Sequence, residues 1–304
     1  MEDKYKYGTS QLFNFTKDSY LERTSRPIYA IVFLLPFIIF YEVGTILINT
    51  DVLNRSQVRV VAFVWLQNLL EYLGSGSRLA WVAPPLVVVV ILTALQLVSG
   101  KQWSFCLADI WPMAVECVLL AVPLIVFSLF LSSPVKPQHD IDEFTNSAMR
   151  VQTASRLSCS LAAGRSLSSS NAEAGSVEPK SQSLLANIVT GIGAGIYEEL
   201  VFRLILICFL MLLFQDVLSF TRKKSIILSV LISAALFSAH HHVVFLDGQF
   251  GRTAVFNWTE FGFRTIAGIY FAVLFAIRGF GITAGTHAFY DIIATIINAV
   301  FFQQ

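Results

Sequence analysis

Glu198, Glu199 and Arg203 stand in the stretch GIGAGIYEELVFRLIL, Gly191 to Leu206, which is otherwise apolar enough to cross a bilayer. A charge at the centre of a spanning helix costs on the order of 2.5–3.5 kcal/mol on insertion scales, so charges retained there usually serve function. On a helix, Glu199 and Arg203 are four residues apart, share a face and can pair. Glu198 is turned about 100° away and is left without a local partner.

Four of the five histidines fall in the second half of the chain: His240, His241 and His242 in FSAHHH, and His287 in HAFYD. On helices, Phe237 and His241 share a face, His240 and His242 point to either side, and His287 shares a face with Asp291. Three apolar segments thus offer a carboxylate, an imidazole, and an imidazole with a carboxyl, a set suited to acid–base chemistry.

These residues resemble the CPBP family of intramembrane proteases, also called the type II CAAX prenyl endopeptidase or Abi family. Its pattern is EExxxR, FxxxH and HxxxN or HxxxD on successive core helices. Here Glu198, Glu199 and Arg203, then Phe237 and His241, then His287 and Asp291 match it, over roughly residues 184 to 302. Each motif alone is weak; all three in order, each in an apolar segment, are considerably more specific.

The resemblance implies an intramembrane endopeptidase acting on a membrane-associated protein or peptide. Glu198 and His241 would bind and deprotonate a water, His287 and the residue at 291 would stabilise the oxyanion, and Glu199 and Arg203 would hold the helix and tune the site. Many relatives carry Asn where this chain has Asp291. An ionised Asp would repel an oxyanion, so Asp291 is either protonated or acts by orienting His287. The glutamate mechanism requires no cofactor. The alternative is a Zn2+ enzyme with Glu198, His241 and His287 as ligands, although the chain has no HExxH.

Bland readings stand beside these. Glu199 with Arg203 can be only an intrahelical pair, His240 and His242 read as packing or interfacial histidines, and Glu42, Glu71 and Glu116 as helix-contact or cavity residues. The same acids and histidines would also serve a transporter or proton relay, and a non-catalytic immunity or scaffold protein can keep the fold.

The elements that must position these groups are membrane helices. The chain has 304 residues, of which 55% are hydrophobic and 13% charged, with mean hydropathy +0.67. That composition is too apolar for an ordinary soluble domain, and the long continuous runs differ from the alternating segments of a β-barrel. A net charge of +1 argues against a nucleic-acid partner; the partner is the bilayer. The expected class is all-α, a polytopic transmembrane bundle of about eight helices. Residues 1–26 read as a polar tail, 27–132 as a four-helix membrane region, 133–183 as a Ser-rich linker and 184–304 as the catalytic membrane core.

The predicted helices run from Ile28 to Ile48, Val58 to Leu73, Leu79 to Val98, Met113 to Leu131, Leu184 to about Phe214, Ile226 to about Leu246, Gly262 to Ile277 and Ile282 to Phe302. The second, with Gln67, Asn68 and Glu71, suggests an inward or re-entrant face. Gly191 and Gly195 form a small-xxx-small spacing for close helix approach. The four cysteines have no CxxC spacing and read as buried thiols. The larger share of Lys and Arg falls on segments that are cytoplasmic if the N-terminus is inside, which places both termini there, in the plasma (inner) membrane if the source is prokaryotic. One difficulty is geometric. His241 lies late in its segment and His287 early in its own, an offset of roughly 15 Å between parallel helices, so convergence requires stagger or tilt.

Overall fold

The computed structural model describes residues 15–16, 18–51, 61–72, 83–131, 184–246, 249–252 and 257–301. Most of the N-terminal tail, the Ser-rich linker 133–183 with Cys159, and the Glu71 side chain lie outside the described residues.

The chain folds as an all-α bundle. A short helix α1 (Tyr20–Thr24) precedes α2 (Pro27–Asp51), α3 (Val61–Tyr72), α4 (Ala83–Ser99) and α5 (Ile110–Leu131). In the second half come α6 (Leu184–Val217), α7 (Arg222–His240), α8 (Trp258–Arg278) and α9 (Phe280–Phe301). Helices therefore occupy all eight predicted segments. Six, namely α2 and α5 to α9, are long and apolar enough to cross a membrane, and with the hydropathy they make this an integral multi-pass membrane protein. By contrast, the described part of α3 has 12 residues, or about 18 Å, against a hydrocarbon core of about 30 Å.

The boundaries follow local chemistry. Pro84 and Pro85 sit in the first described turn of α4, where missing N–H groups cost least; the predicted start at Leu79 lies outside the described residues. Asn257 caps α8 by accepting from the Thr259 N–H at 2.9 Å, starting it four residues earlier than predicted. The largest difference is in α7. It ends at His240, and Val243–Leu246 forms β1, paired antiparallel with β2 (Gln249–Arg252), where the apolar run had been read as helix. Val-Val-Phe suits a strand as well as a buried helix, and periodicity alone does not separate the two in so short a run.

At the centre, α6 and α9 pack most closely. A Cβ on Gly195 would lie 2.5 Å from the Ala288 backbone nitrogen, and one on Gly191 would lie 2.7 Å from the Asp291 Cβ, so the small-residue face of α6 lets the two backbones meet. The N-terminal helices α2 and α5 pack against this pair, and one hydrophobic core draws on both halves of the chain. Outward-facing apolar residues such as Ile39, Leu119, Phe209 and Leu231 are exposed, as expected of a lipid-facing surface.

Polar ties hold the first turns in place. Arg278, at the end of α8, donates to Glu116 of α5 at 2.6 and 2.8 Å, to the Leu21 carbonyl and to Thr24, while Tyr20 also donates to Glu116. Arg23 makes a two-pronged bond to Asp109. Hydrogen bonds from Arg26 hold the Glu22 carboxyl below the ordinary carboxylate range. Of the cysteines described, Cys117 is buried as expected. Cys106 and Cys208 are exposed because their positions face outward from the bundle, and no disulfide forms among the described residues.

Gly195→Ala is expected to lower stability by about 1–3 kcal/mol, the cost of overpacking, because the new methyl meets backbone. Gly262→Ala, with open space around it, is expected to lose nothing. Thermal unfolding of both variants in detergent checks the pair.

Candidate active site

Glu198 and Glu199 end the regular α-helical part of α6; a π-helical turn over Leu200–Ile205 follows and carries Arg203. All three charged side chains are buried, Glu198 at 4% exposure and the other two at 0%. Three charges in an apolar core stand only if each finds compensation.

Glu199 and Arg203 compensate each other, with Nε to Oε2 at 3.0 Å, as their spacing predicts. The Arg203 guanidinium lies over the Phe237 ring, 4.1 Å from its centroid, and reaches the Gly268 carbonyl at 3.4 Å. The second oxygen of Glu199 takes His287, whose Nδ1 donates to Oε1 at 2.8 Å. His287 also stacks on Phe271, with centroids 4.6 Å apart and planes 17° apart, and turns its Nε2 toward Asp291 Oδ2 at 3.6 Å.

Glu198 faces the other way, toward the end of α7. His240 Nε2 lies 3.5 Å from its Oε1 and His241 Nε2 lies 4.0 Å from its Oε2. Both rings direct Nδ1 at one carbonyl, that of Phe237, at 2.7 and 3.0 Å. A carbonyl only accepts, so both Nδ1 atoms carry hydrogen, and in a neutral ring with that tautomer Nε2 presents its lone pair to Glu198.

The structure thus brings Glu198, His241, Glu199, Arg203, His287 and Asp291 into one region and adds His240, which helical spacing had turned aside. Spacing gives only the Cα–Cβ direction, whereas both rings turn Nδ1 to the Phe237 carbonyl and Nε2 to Glu198. His241 is the C-cap and its N–H bonds to Ser238 in a tightened turn, so two consecutive histidines face one carboxylate. The run of three histidines at a helix end was the signal available. His242 is buried against Phe261, with centroids 6.0 Å apart, as a packing histidine. Trp65 of α3, also missed, lies edge-on to His240 at 5.8 Å.

The offset between His241 and His287 is resolved by stagger. The rings of Phe237 and His287 lie 6.1 Å apart, so a residue four turns into α7 is level with one two turns into α9. The two helices are displaced by about 12 Å.

For a metal, Glu198, His240 and His241 each offer one ligand atom, and these lie within 4.8 Å of one another. Their donors are bare imidazole nitrogens and a carboxylate, with each ring N–H held by a backbone carbonyl, an arrangement that suits Zn2+. The sequence offered His287 as third ligand; in the structure the third group of this cluster is His240. His287 is engaged by Glu199.

The family model described as type II CAAX prenyl endopeptidase Rce1-like matches residues 180–293, the segment that builds this site. Over these residues the chain is similar to the CAAX protease family. Searches of curated proteins and of solved structures returned no match. The matched segment holds α6, α7, α8 and most of α9, hence every motif residue from Glu198 to Asp291.

Arg203→Ala would leave Glu199 with an unpaired buried charge and is expected to cost about 3–5 kcal/mol. Adding Glu199→Gln is expected to recover part of that, since no unpaired charge then remains. A double-mutant cycle by thermal unfolding measures the coupling.

Proposed function

We propose that this protein is an intramembrane endopeptidase that hydrolyses a peptide bond of a membrane-associated protein or peptide, with water activated by Glu198 and His241. The observation that carries the reading is the Glu198 carboxylate, buried in a membrane-spanning bundle and faced by two imidazole nitrogens at 3.5 and 4.0 Å. Both gaps are longer than an ordinary hydrogen bond, and with neutral rings both joined groups are acceptors. A water donating one hydrogen to the carboxylate and one to an imidazole satisfies them together.

In the proposed reaction Glu198 takes one proton of that water as its oxygen attacks the scissile carbonyl. Collapse of the tetrahedral intermediate then breaks the C–N bond as Glu198 returns the proton to the leaving amine. To serve the oxyanion, His287 must donate from Nε2, the nitrogen turned away from Glu199. Asp291, 3.6 Å from that atom, then orients the ring and leaves the N–H for the oxyanion. Glu199 and Arg203 hold His287 and the π turn from behind.

A proton relay is the weaker reading. Glu116 is tied to Arg278 and Tyr20, and Glu42 accepts from Tyr197, so these acids serve helix contacts instead of forming a chain across the membrane. The zinc reading is favoured by the ligand spacing of Glu198, His240 and His241. A bound zinc would supply Lewis acidity there. The family description makes prenylated CAAX tails the first substrate to test, and the Lys and Arg bias supports a topology with both termini in the cytoplasm.

With the full chain in detergent and a quenched farnesylated CAAX peptide as the first of a substrate panel, Glu198→Gln is expected to reduce kcat by on the order of 100-fold or more. Retained cleavage by this variant would reject Glu198 as the base. Exhaustive chelation is expected to leave wild-type activity intact. Loss restored by zinc would instead make Glu198, His240 and His241 ligands.

A further inference from the structure

His240 falls outside the motif spacing, yet it is the imidazole nearest Glu198. We propose that His240 is a positioning residue of the hydrolytic site: it fixes the inner oxygen of the Glu198 carboxylate so that the outer oxygen, beside His241, is the one that takes the proton. The inference rests on the endopeptidase reading.

Three observations carry it. First, the pairings are one to one, with His240 opposite Oε1 and His241 opposite Oε2. Second, the two imidazoles differ in access. The His240 side chain is 6% exposed and that of His241 is 19% exposed, so an entering peptide meets the His241 side. Third, the His240 ring is locked. Its Nδ1 is 2.7 Å from the Phe237 carbonyl, and Phe202, Phe237, Trp65 and His241 surround it at centroid distances of 4.8, 5.7, 5.8 and 4.0 Å. The lock settles which nitrogen faces Glu198.

With Nδ1 donating to a carbonyl, Nε2 is an acceptor, and so is Oε1 opposite it. Two acceptors 3.5 Å apart hold together through a shared hydrogen, carried by a bridging water or by a proton between them. Either form pins Oε1 and stops the carboxylate from rotating. Oε2 is then held toward the more open His241 side, where the attacking water meets the scissile carbonyl. A carboxylate free to turn would misplace the base, and an ångström of misplacement is enough to cost on the order of 100-fold in rate.

The competing account is that His240 only fills an aromatic cage, and two substitutions separate these. His240→Phe keeps the ring among Phe202, Phe237 and Trp65 but removes Nε2. His240→Gln loses the ring but can place an amide hydrogen-bonding group near the Nε2 position. Both are to be assayed as full-length protein on the farnesylated CAAX peptide, or on whichever panel peptide the wild type cleaves, with thermal unfolding alongside. The expected result for the Phe variant is a folded protein with kcat lowered on the order of 100-fold and KM within about twofold. The Gln variant is expected to lose no more than about tenfold in kcat, even if it unfolds at lower temperature. A Phe variant with wild-type kcat, or a Gln variant that falls as far as Phe, overturns the proposal. Should the Phe variant not fold, His240→Leu replaces it with the same expectation, and kcat within about threefold of wild type overturns it. If His240→Phe is fully active while Glu198→Gln is not, only the His240 role fails. If the wild type cleaves no peptide of the panel, the endopeptidase reading fails and takes this one with it.

Discussion

The constraint on which the rest of the molecule depends is the cost of holding two carboxylates and a guanidinium in consecutive turns of one bilayer-spanning helix. Glu199 and Arg203 meet most of it between themselves at 3.0 Å, with both side chains fully buried. The π turn that carries Arg203 and the Phe237 ring beneath its guanidinium belong to the same solution. His287 then takes the free oxygen of Glu199. With that pair settled, Glu198 is the one acid on α6 whose neighbours are imidazoles and not a cation.

Close backbone approach makes this compensation possible. Gly191 and Gly195 let α6 lie against α9 so tightly that the latter's Ala288 and Asp291 occupy the space where side chains would be. His287, one residue before Ala288, is thereby brought within hydrogen-bonding reach of Glu199. Lipid supplies no hydrophobic drive for helix pairing, so this fit has to come from small residues and polar contacts. The N-terminal helices support the pair from outside, and the polar ties among Tyr20, Glu116 and Arg278 hold them at one end.

The end of α7 contributes a different device. A helix leaves its last carbonyls unsatisfied, and here one of them, that of Phe237, takes the Nδ1 hydrogens of two consecutive histidines. A single carbonyl thus sets the tautomer of both rings and turns both bare nitrogens to Glu198.

Sequence alone determined the all-α membrane class, the places of the eight helices, the Glu199 and Arg203 pair and the small-residue face of α6. Each is set by composition or by spacing within one helix, which the chain carries locally. The end of α7, the strand after it, the stagger of α7 against α9 and the facing of His240 and Glu198 were decided only by tertiary structure. They turn on where one element stops and how far its neighbour slides past it, and those quantities come from packing between segments far apart in the chain.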